Sequence, residues 1–441
     1  GERYSVRTTR KENLEASDAF FANLTKEIHK RGMKVIIDGV FNHCGSFHKW
    51  MNREGLYKEK DGYPKGAYES KDSPYRKFFR FDDDNNPDSY EAWWGFKTLP
   101  KLNYEGSEEL CEYICGIGAK WVSEPYNVDG WRLDVAADLG HSEDFNHNFW
   151  KKFRKAVKKA NPNAVILAEH YGDASAWLKG DEWDTVMNYD AFMEPVTWFL
   201  TGMEKHSDEF RSDALNNEEM FINSMKENMA RFQGPSLYCA MNELSNHDHS
   251  RFLTRTNRKV GRLAELGEGA ASEGINKDVF TEAVVMQMTW PGAPTLYYGD
   301  EAGLCGFTDP DNRRPYPWGK EDAGILQVHK DLIEIHRAYT VLKNGAFVIL
   351  HCEHGILSYG RFNSEEQIFV VINNNDFERN VSFSLDKLCI KDNALVSLYI
   401  SECGFPRPEA RILEIMYEKR LSLNLKPHSA YIYKNFPTGT N

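Results

Sequence analysis

Several features that would settle a protein's class at once are missing from this chain. No stretch approaches the roughly 18 consecutive apolar residues that a membrane span needs. The first residues, GERYSVRTT, lack the apolar central run of a signal peptide, so a cytoplasmic protein is expected unless a leader lies ahead of them. There is no basic arm or Arg-rich stripe, and 54 Lys and Arg stand against 66 Asp and Glu, a formal net charge of −12. A phosphate-binding surface needs clustered positive charge, so nucleic acid is excluded as a partner, as is a membrane. No G-x-G-x-x-G turn follows a strand pattern, which removes the commonest dinucleotide reading. The eight cysteines (Cys44, Cys111, Cys115, Cys239, Cys305, Cys352, Cys389 and Cys403) are scattered. A chain long enough to bury a large core needs no disulfide framework, and all eight read as reduced thiols, mostly buried. Cys111 and Cys115 have a metal-ligand spacing, but no further ligand lies nearby.

What is present is an ordinary globular composition, 41% hydrophobic and 27% charged, with 13% aromatic residues that suit either sugar binding or a large core. Apolar residues recur at helical spacing from Ser17 to Arg31 (Phe20, Phe21, Leu24, Ile28), with Ser17 or Asp18 to start the helix and Gly32 to stop it. A short apolar run, Met33 to Ile37, follows and ends in Asp38, which reads as a buried strand with a polar cluster at its C-terminal end. The unit repeats. Helix 108–122 feeds strand 128–133 and Asp134; helix 146–160 feeds strand 164–168 and Glu169. A strand at 185–188, a long helical stretch at 207–232, a strand near 237–241 leading to Asp248, helix 278–289, strand 294–298 and a last helix at about 325–342 complete the series. Alternating helices and strands with polar strand ends predict a parallel (β/α)8 TIM barrel over residues 1–345. From about residue 346 to 441 short alternating runs separated by Gly, Asn and Asp predict an antiparallel β-sandwich.

Asp38, Asp134, Glu169 and Asp248 each follow a predicted strand, so a barrel would bring them to one rim. Hydrolysis of a glycosidic bond needs such carboxyl groups, one ionised to attack and one protonated to donate to the leaving oxygen. Arg132 lies two residues before Asp134, on the same strand face, where its guanidinium can hold Asp134 ionised. His43 and His247 flank the same strand ends.

The segments DGVFNH (Asp38 to His43), DGWRLDVA (Asp129 to Ala136), ILAEH (Ile166 to His170) and LSNHD (Leu244 to Asp248) resemble the four short conserved regions of the α-amylase family, in the family's order. LPKLN (Leu99 to Asn103) and DPDNRRPYPW (Asp309 to Trp318) resemble the neopullulanase, cyclomaltodextrinase and maltogenic amylase subgroup. The resemblance implies a retaining glycosidase acting on α-1,4 glucosidic bonds of an α-glucan, with α-1,6 bonds as a further linkage open to it and about 5 Å between nucleophile and acid/base carboxyls. It implies Asp134 as nucleophile, Glu169 as acid/base and Asp248 as the third acidic residue. His43, His247 and Arg132 would face the sugar or orient Asp134, while Asp38, Asn42 and Asn246 buttress the site. Trp93, Trp94 and Trp131 offer faces for sugar stacking, with core packing the equal alternative for Trp131. Arg313 and Arg314 either close a subsite or bridge their own loop. No cofactor is required; calcium occurs in many members, but the run Asp82-Asp83-Asp84 lacks the spaced ligands of a calcium loop. A homodimer is plausible by resemblance to the subgroup.

Two positions depart from the subgroup: Glu169 is followed by His170 and Tyr171, and Asp134 by Val135-Ala136-Ala137-Asp138. Both line the leaving-group side in family members, which leaves the preferred glucan open. An α-glucan transferase or isomerase, or a non-catalytic binding relative, stays open beside the hydrolase. The chain supplies six candidate barrel strands, so a preceding N-terminal segment is expected to complete the barrel.

Overall fold

The computed structural model describes residues 8–390, 394–402, 412–414 and 419–436. It divides into two compact units, Gly1–Val186 and Met187–Asn441.

The first unit runs α1 (Lys11–Lys30), β1 (Ile36–Gly39), α2 (Glu108–Trp121), β2 (Gly130–Leu133), α3 (Glu143–Ala160), β3 (Val165–Ala168) and β4 (Thr185–Val186). The strands form one parallel sheet in the order β1-β2-β3-β4. Local chemistry explains the helix starts: Ser107 Oγ accepts from the Leu110 N–H and Ser142 Oγ from the Phe145 N–H, each filling an orphan donor of the first turn. On α3 the residues Phe149, Trp150, Phe153 and Val157 are buried, an apolar stripe at helical spacing. Gly118 of α2 lets the Phe153 ring approach, since a Cβ there would lie 2.5 Å from it. Between β1 and α2 the chain makes a long excursion of turns and short 3-10 helices around the buried rings of Trp50, Phe78 and Tyr90.

Two expectations for this unit need correction. Helix α1 starts at Lys11, so Ser17 and Asp18 lie inside it; Asp18 instead accepts from the Tyr126 hydroxyl at 2.9 Å. Its apolar residues are not a core stripe, for Phe20 is 71% exposed although Phe21 packs edge-on against Trp121. Nor is β1 a buried strand: Ile36 is 47% exposed, because among the described residues β1 pairs with β2 alone.

The second unit contains helices Glu194–Thr201 and Glu218–Ala230, β5 (Met241–Glu243), helix Lys277–Thr289, β6 (Ala293–Thr295) and helix Ala323–Ala338. Strands β5 and β6 pair in parallel, and Met187 bridges to Met241 in the same sense. Residues 279–289 are all buried, which makes helix Lys277–Thr289 a core element. The long helix expected at 207–232 is only Glu218–Ala230. Residues 204–209 form a turn tied back by the Ser207–Ser250 hydroxyl pair at 2.7 Å and by the Gly261 N–H on Ser207 O. The strand expected near 237–241 begins at Met241, with a short helix, Gly234–Cys239, before it.

The remaining strands are β7 (Ala346–Glu353), β8 (Ile356–Phe362), β9 (Gln367–Asn373), β10 (Arg379–Ser384), β11 (Ala394–Ser401), β12 (Ile412–Glu414), β13 (Arg420–Leu425) and β14 (Ser429–Phe436). They form an antiparallel sheet of order β12-β11-β14-β9-β8-β7 and a ribbon β10-β13. Phe369, Val371, Val381, Phe383, Leu421, Leu425 and Tyr433 share the core of this sandwich. The opposite face of β8 and β9 (Leu357, Tyr359, Ile368, Val370) joins the core of the unit's helices. The architecture is thus parallel βα repeats of the (β/α) barrel class, followed by a C-terminal antiparallel domain.

Among the described cysteines only Cys111 and Cys305 are buried, whereas Cys239, Cys352 and Cys389 are exposed, so the expectation of mostly buried thiols is corrected; Cys403 lies outside the described residues. No described helix is long and apolar enough to cross a membrane.

Candidate active site

In the first unit the predicted residues converge on one guanidinium. Arg132, on β2, projects beyond the strand ends and donates from Nη1 to Asp134 Oδ1 at 2.7 Å and to Asp38 Oδ1 at 2.9 Å, while its Nη2 lies 2.8 Å from Glu169 Oε1. The parallel register explains the meeting: Asp38 is level with Arg132 and Arg132 with Leu167, so the chain ends of β1, β2 and β3 lie side by side. Burial opposes the charge on Arg132, but the neighbouring carboxylates Glu169 and Asp38 outweigh it and hold the guanidinium above its ordinary range. Asp134 and Glu169 are largely enclosed, while Asp38 is more than half exposed. The other Glu169 oxygen, Oε2, accepts from the Val135 N–H at 3.1 Å.

His43 is buried and stacks on Trp93 with ring centroids 5.0 Å apart and planes 9° from parallel. Burial lowers its pKa, and Asp134 and Asp138 oppose this. A neutral imidazole donates one hydrogen bond and accepts another, as a sugar hydroxyl requires. Asn42 is buried and its Nδ2 lies 3.3 Å from His43 Nδ1. Trp93 Nε1 donates to Asp138 Oδ2 at 2.8 Å, and Trp94, stacked on Trp93, is 77% exposed. Trp131 is buried and donates to Gly118 O, which places it in the core. Of the two departures, His170 packs beside Trp177 and Tyr171 is exposed, while Ala137 and Gly140 line a cavity of about 510 Å³ with Trp177 and Lys101.

In the second unit Asn246, His247 and Asp248 follow β5. Asn246 is buried, and its Oδ1 accepts from the N–H groups of Asp248 and His249, both at 3.0 Å, which folds the segment into a tight turn. His247 Nε2 lies 3.7 Å from Asp248 Oδ2. Arg314 donates to both oxygens of Asp311 and to Glu268 O, while Arg313 pairs with Asp309 of the same loop at 2.8 Å and comes to 3.9 Å from Asp248 Oδ1. Sequence reasoning missed the supports. Asn312 donates to the carbonyls of Asn246 and His249, and buried Arg251 pairs with Asp300 and donates to Asn312 O. Asn312 lies inside the DPDNRRPYPW segment, the one signal that could have drawn attention to it.

In the acidic run 82–84, Asp83 Oδ1 accepts from the Asn85 N–H and Asp84 pairs with Arg76 at 3.1 Å.

The family described as the α-amylase catalytic domain matches residues 16–346. Neopullulanase 2 of Thermoactinomyces vulgaris is 32% identical over 82% of this chain and 55% of its own length. The cyclomaltodextrinase of Thermoanaerobacter pseudethanolicus is 31% identical over 93% of this chain and 61% of its own. The chain therefore spans between half and two thirds of these curated relatives, and only 23% of an amylopullulanase of Thermoanaerobacter thermohydrosulfuricus that is 33% identical over 77% of this chain. Among solved structures, the debranching enzyme of Nostoc punctiforme superposes with a TM-score of 0.74 at 26% identity, covering 94% of this chain and 78% of that one.

Proposed function

The chain belongs to the α-amylase family, and on that premise we propose that it is a retaining glycosidase cleaving α-1,4, and in some substrates α-1,6, glucosidic bonds of maltodextrins, cyclodextrins, pullulan or starch. The observation that carries this reading is Arg132, which ties Asp134 and Glu169 to the two Nη atoms of one guanidinium. In the proposed double displacement Asp134 attacks the anomeric carbon while Glu169 protonates the leaving oxygen; Glu169 then takes a proton from the water that releases the glycosyl group. Asp248 is the proposed third acidic group, binding ring hydroxyls, with His43, His247 and Trp94 as sugar contacts and Asp38, Asn42 and Asn246 as supports. The chemistry draws on carboxyl groups alone and needs no cofactor. Asp134→Asn and Glu169→Gln, assayed on an aryl α-maltoside, should each lower kcat by roughly 10³-fold or more; unchanged rates would overturn the assignment. A substrate panel of cyclodextrin, pullulan, starch and maltotriose then separates hydrolysis from transfer, since dominant longer oligosaccharides would mark a transferase.

The remaining proposals concern organisation. Residues 1–345 are read as the catalytic barrel and 346–441 as the C-terminal sandwich. The exposed Ile36 on the free edge of β1 supports a further strand pairing there. A homodimer, proposed from the subgroup, is tested by sedimentation velocity.

A further inference from the structure

Val135 adopts φ 38° and ψ 48°, a left-handed conformation that β-branched residues rarely take. The residues that follow explain why it does so here. Asn146 on α3, 2% exposed, turns its Nδ2 to the carbonyls of Ala136 at 3.0 Å, Ala137 at 3.2 Å and Leu139 at 2.8 Å, its two N–H groups shared among the three acceptors. Trp150 Nε1 adds a second bond to Ala136 O at 2.9 Å, and Asn146 Oδ1 accepts from Trp177 Nε1 at 2.9 Å, which fixes the direction of the amide. On the other side of Val135, the Asp134 N–H is bonded to Gly39 O at 3.1 Å, continuing the sheet. The strand end and the clamped turn leave the intervening backbone no relaxed alternative, and the resulting conformation aims the Val135 N–H at Glu169 Oε2.

We propose that Val135 is a positioning residue for the reaction and Asn146 the clamp that holds it, together fixing the Glu169 carboxyl against that of Asp134. The proposal rests on the roles assigned above to Asp134 and Glu169. A donated N–H bond favours the carboxylate form, so Glu169 takes up its proton against this bond, and loss of the bond eases protonation.

Asn146→Ala and Asn146→Leu both remove the Nδ2 donor, and the leucine keeps most of the side chain's volume in the buried site. Each should lower kcat on an aryl α-maltoside by about 10- to 100-fold with KM within about twofold. Each should also move the alkaline limb of the kcat/KM profile, set by protonation of the acid, up by about one pH unit. Val135→Gly keeps the N–H and admits the left-handed backbone, so its limb stays at the parental pH. A purely structural role would lower Tm and leave the limb in place. Folded Asn146 variants with parental kcat and limb overturn the proposal, and Asn146→Leu carries the test if Asn146→Ala does not fold. Asp134→Asn and Glu169→Gln run alongside. Full activity in those variants overturns the site assignment and this proposal with it, whereas lost activity there beside parental Asn146 variants overturns the proposal alone.

Discussion

Arg251 and Asp300 form an ion pair at 2.8 Å in which the side chains are 0% and 5% exposed. Through Asn312 the pair braces the turn that carries Asp248. Removing one partner leaves a buried charge uncompensated. Asp300→Ala should therefore cost about 3–5 kcal/mol, read from the midpoint of urea unfolding. A loss below about 1 kcal/mol would show that the guanidinium finds another partner at little cost.

Arg132→Lys retains the charge but replaces a planar fork by a point charge, which cannot hold Asp134 and Glu169 from two separate nitrogens. The expected outcome is a fall in kcat of roughly 100-fold with the fold intact by circular dichroism. Parental kcat would mean that the bridging is incidental.

Glu282, within helix Lys277–Thr289, is buried with neither carboxyl oxygen hydrogen-bonded. Burial, reinforced by Asp278 and opposed by Arg258, holds its pKa well above the ordinary 4.5. The folded state thus binds the proton more tightly than the unfolded chain. Stability from this group is full below the unfolded pKa and is lost as pH rises through the folded one. Glu282→Gln should match the parent in Tm near pH 4 and exceed it at pH 8, by roughly 1–3 kcal/mol of stability. The opposite pH trend would refute the assignment of a neutral carboxyl.

Gly130 sits where β2 passes between β1 and β3, and a Cβ there would lie 2.4 Å from Val165 O. The obstacle is backbone held in register, so Gly130→Ala should destabilise by about 1–3 kcal/mol in thermal unfolding. An unchanged Tm would show that β3 can shift freely.

Much of this was legible in the sequence, for identifiable reasons. Helix α3 was legible over 146–160 because Phe149, Trp150, Phe153 and Val157 repeat at the helical period, but its first turn from Glu143, capped by Ser142, was not read. The 207–217 segment misled because its spacing of apolar residues says nothing of Ser207 bonding to Ser250, forty-three residues away. The two arginines Arg313 and Arg314 are chemically identical in sequence, and only the loop decides that one pairs with Asp309 and nears Asp248 while the other pairs with Asp311.

The sequence by itself determined the carboxylates, their order and their family, because motif identity is local and survives without coordinates. Arg132 could be matched to Asp134 on the same ground, since alternate residues of a strand share a face. That the same guanidinium also takes Asp38 and Glu169 follows from the register of three strands. The left-handed Val135 was invisible for a related reason: its side chain argues against that conformation, and the bonds that enforce it come from Asn146 and Trp150 on the following helix. The groups proposed to carry the chemistry were legible in the chain; how they are held was decided by packing between segments that the chain keeps apart.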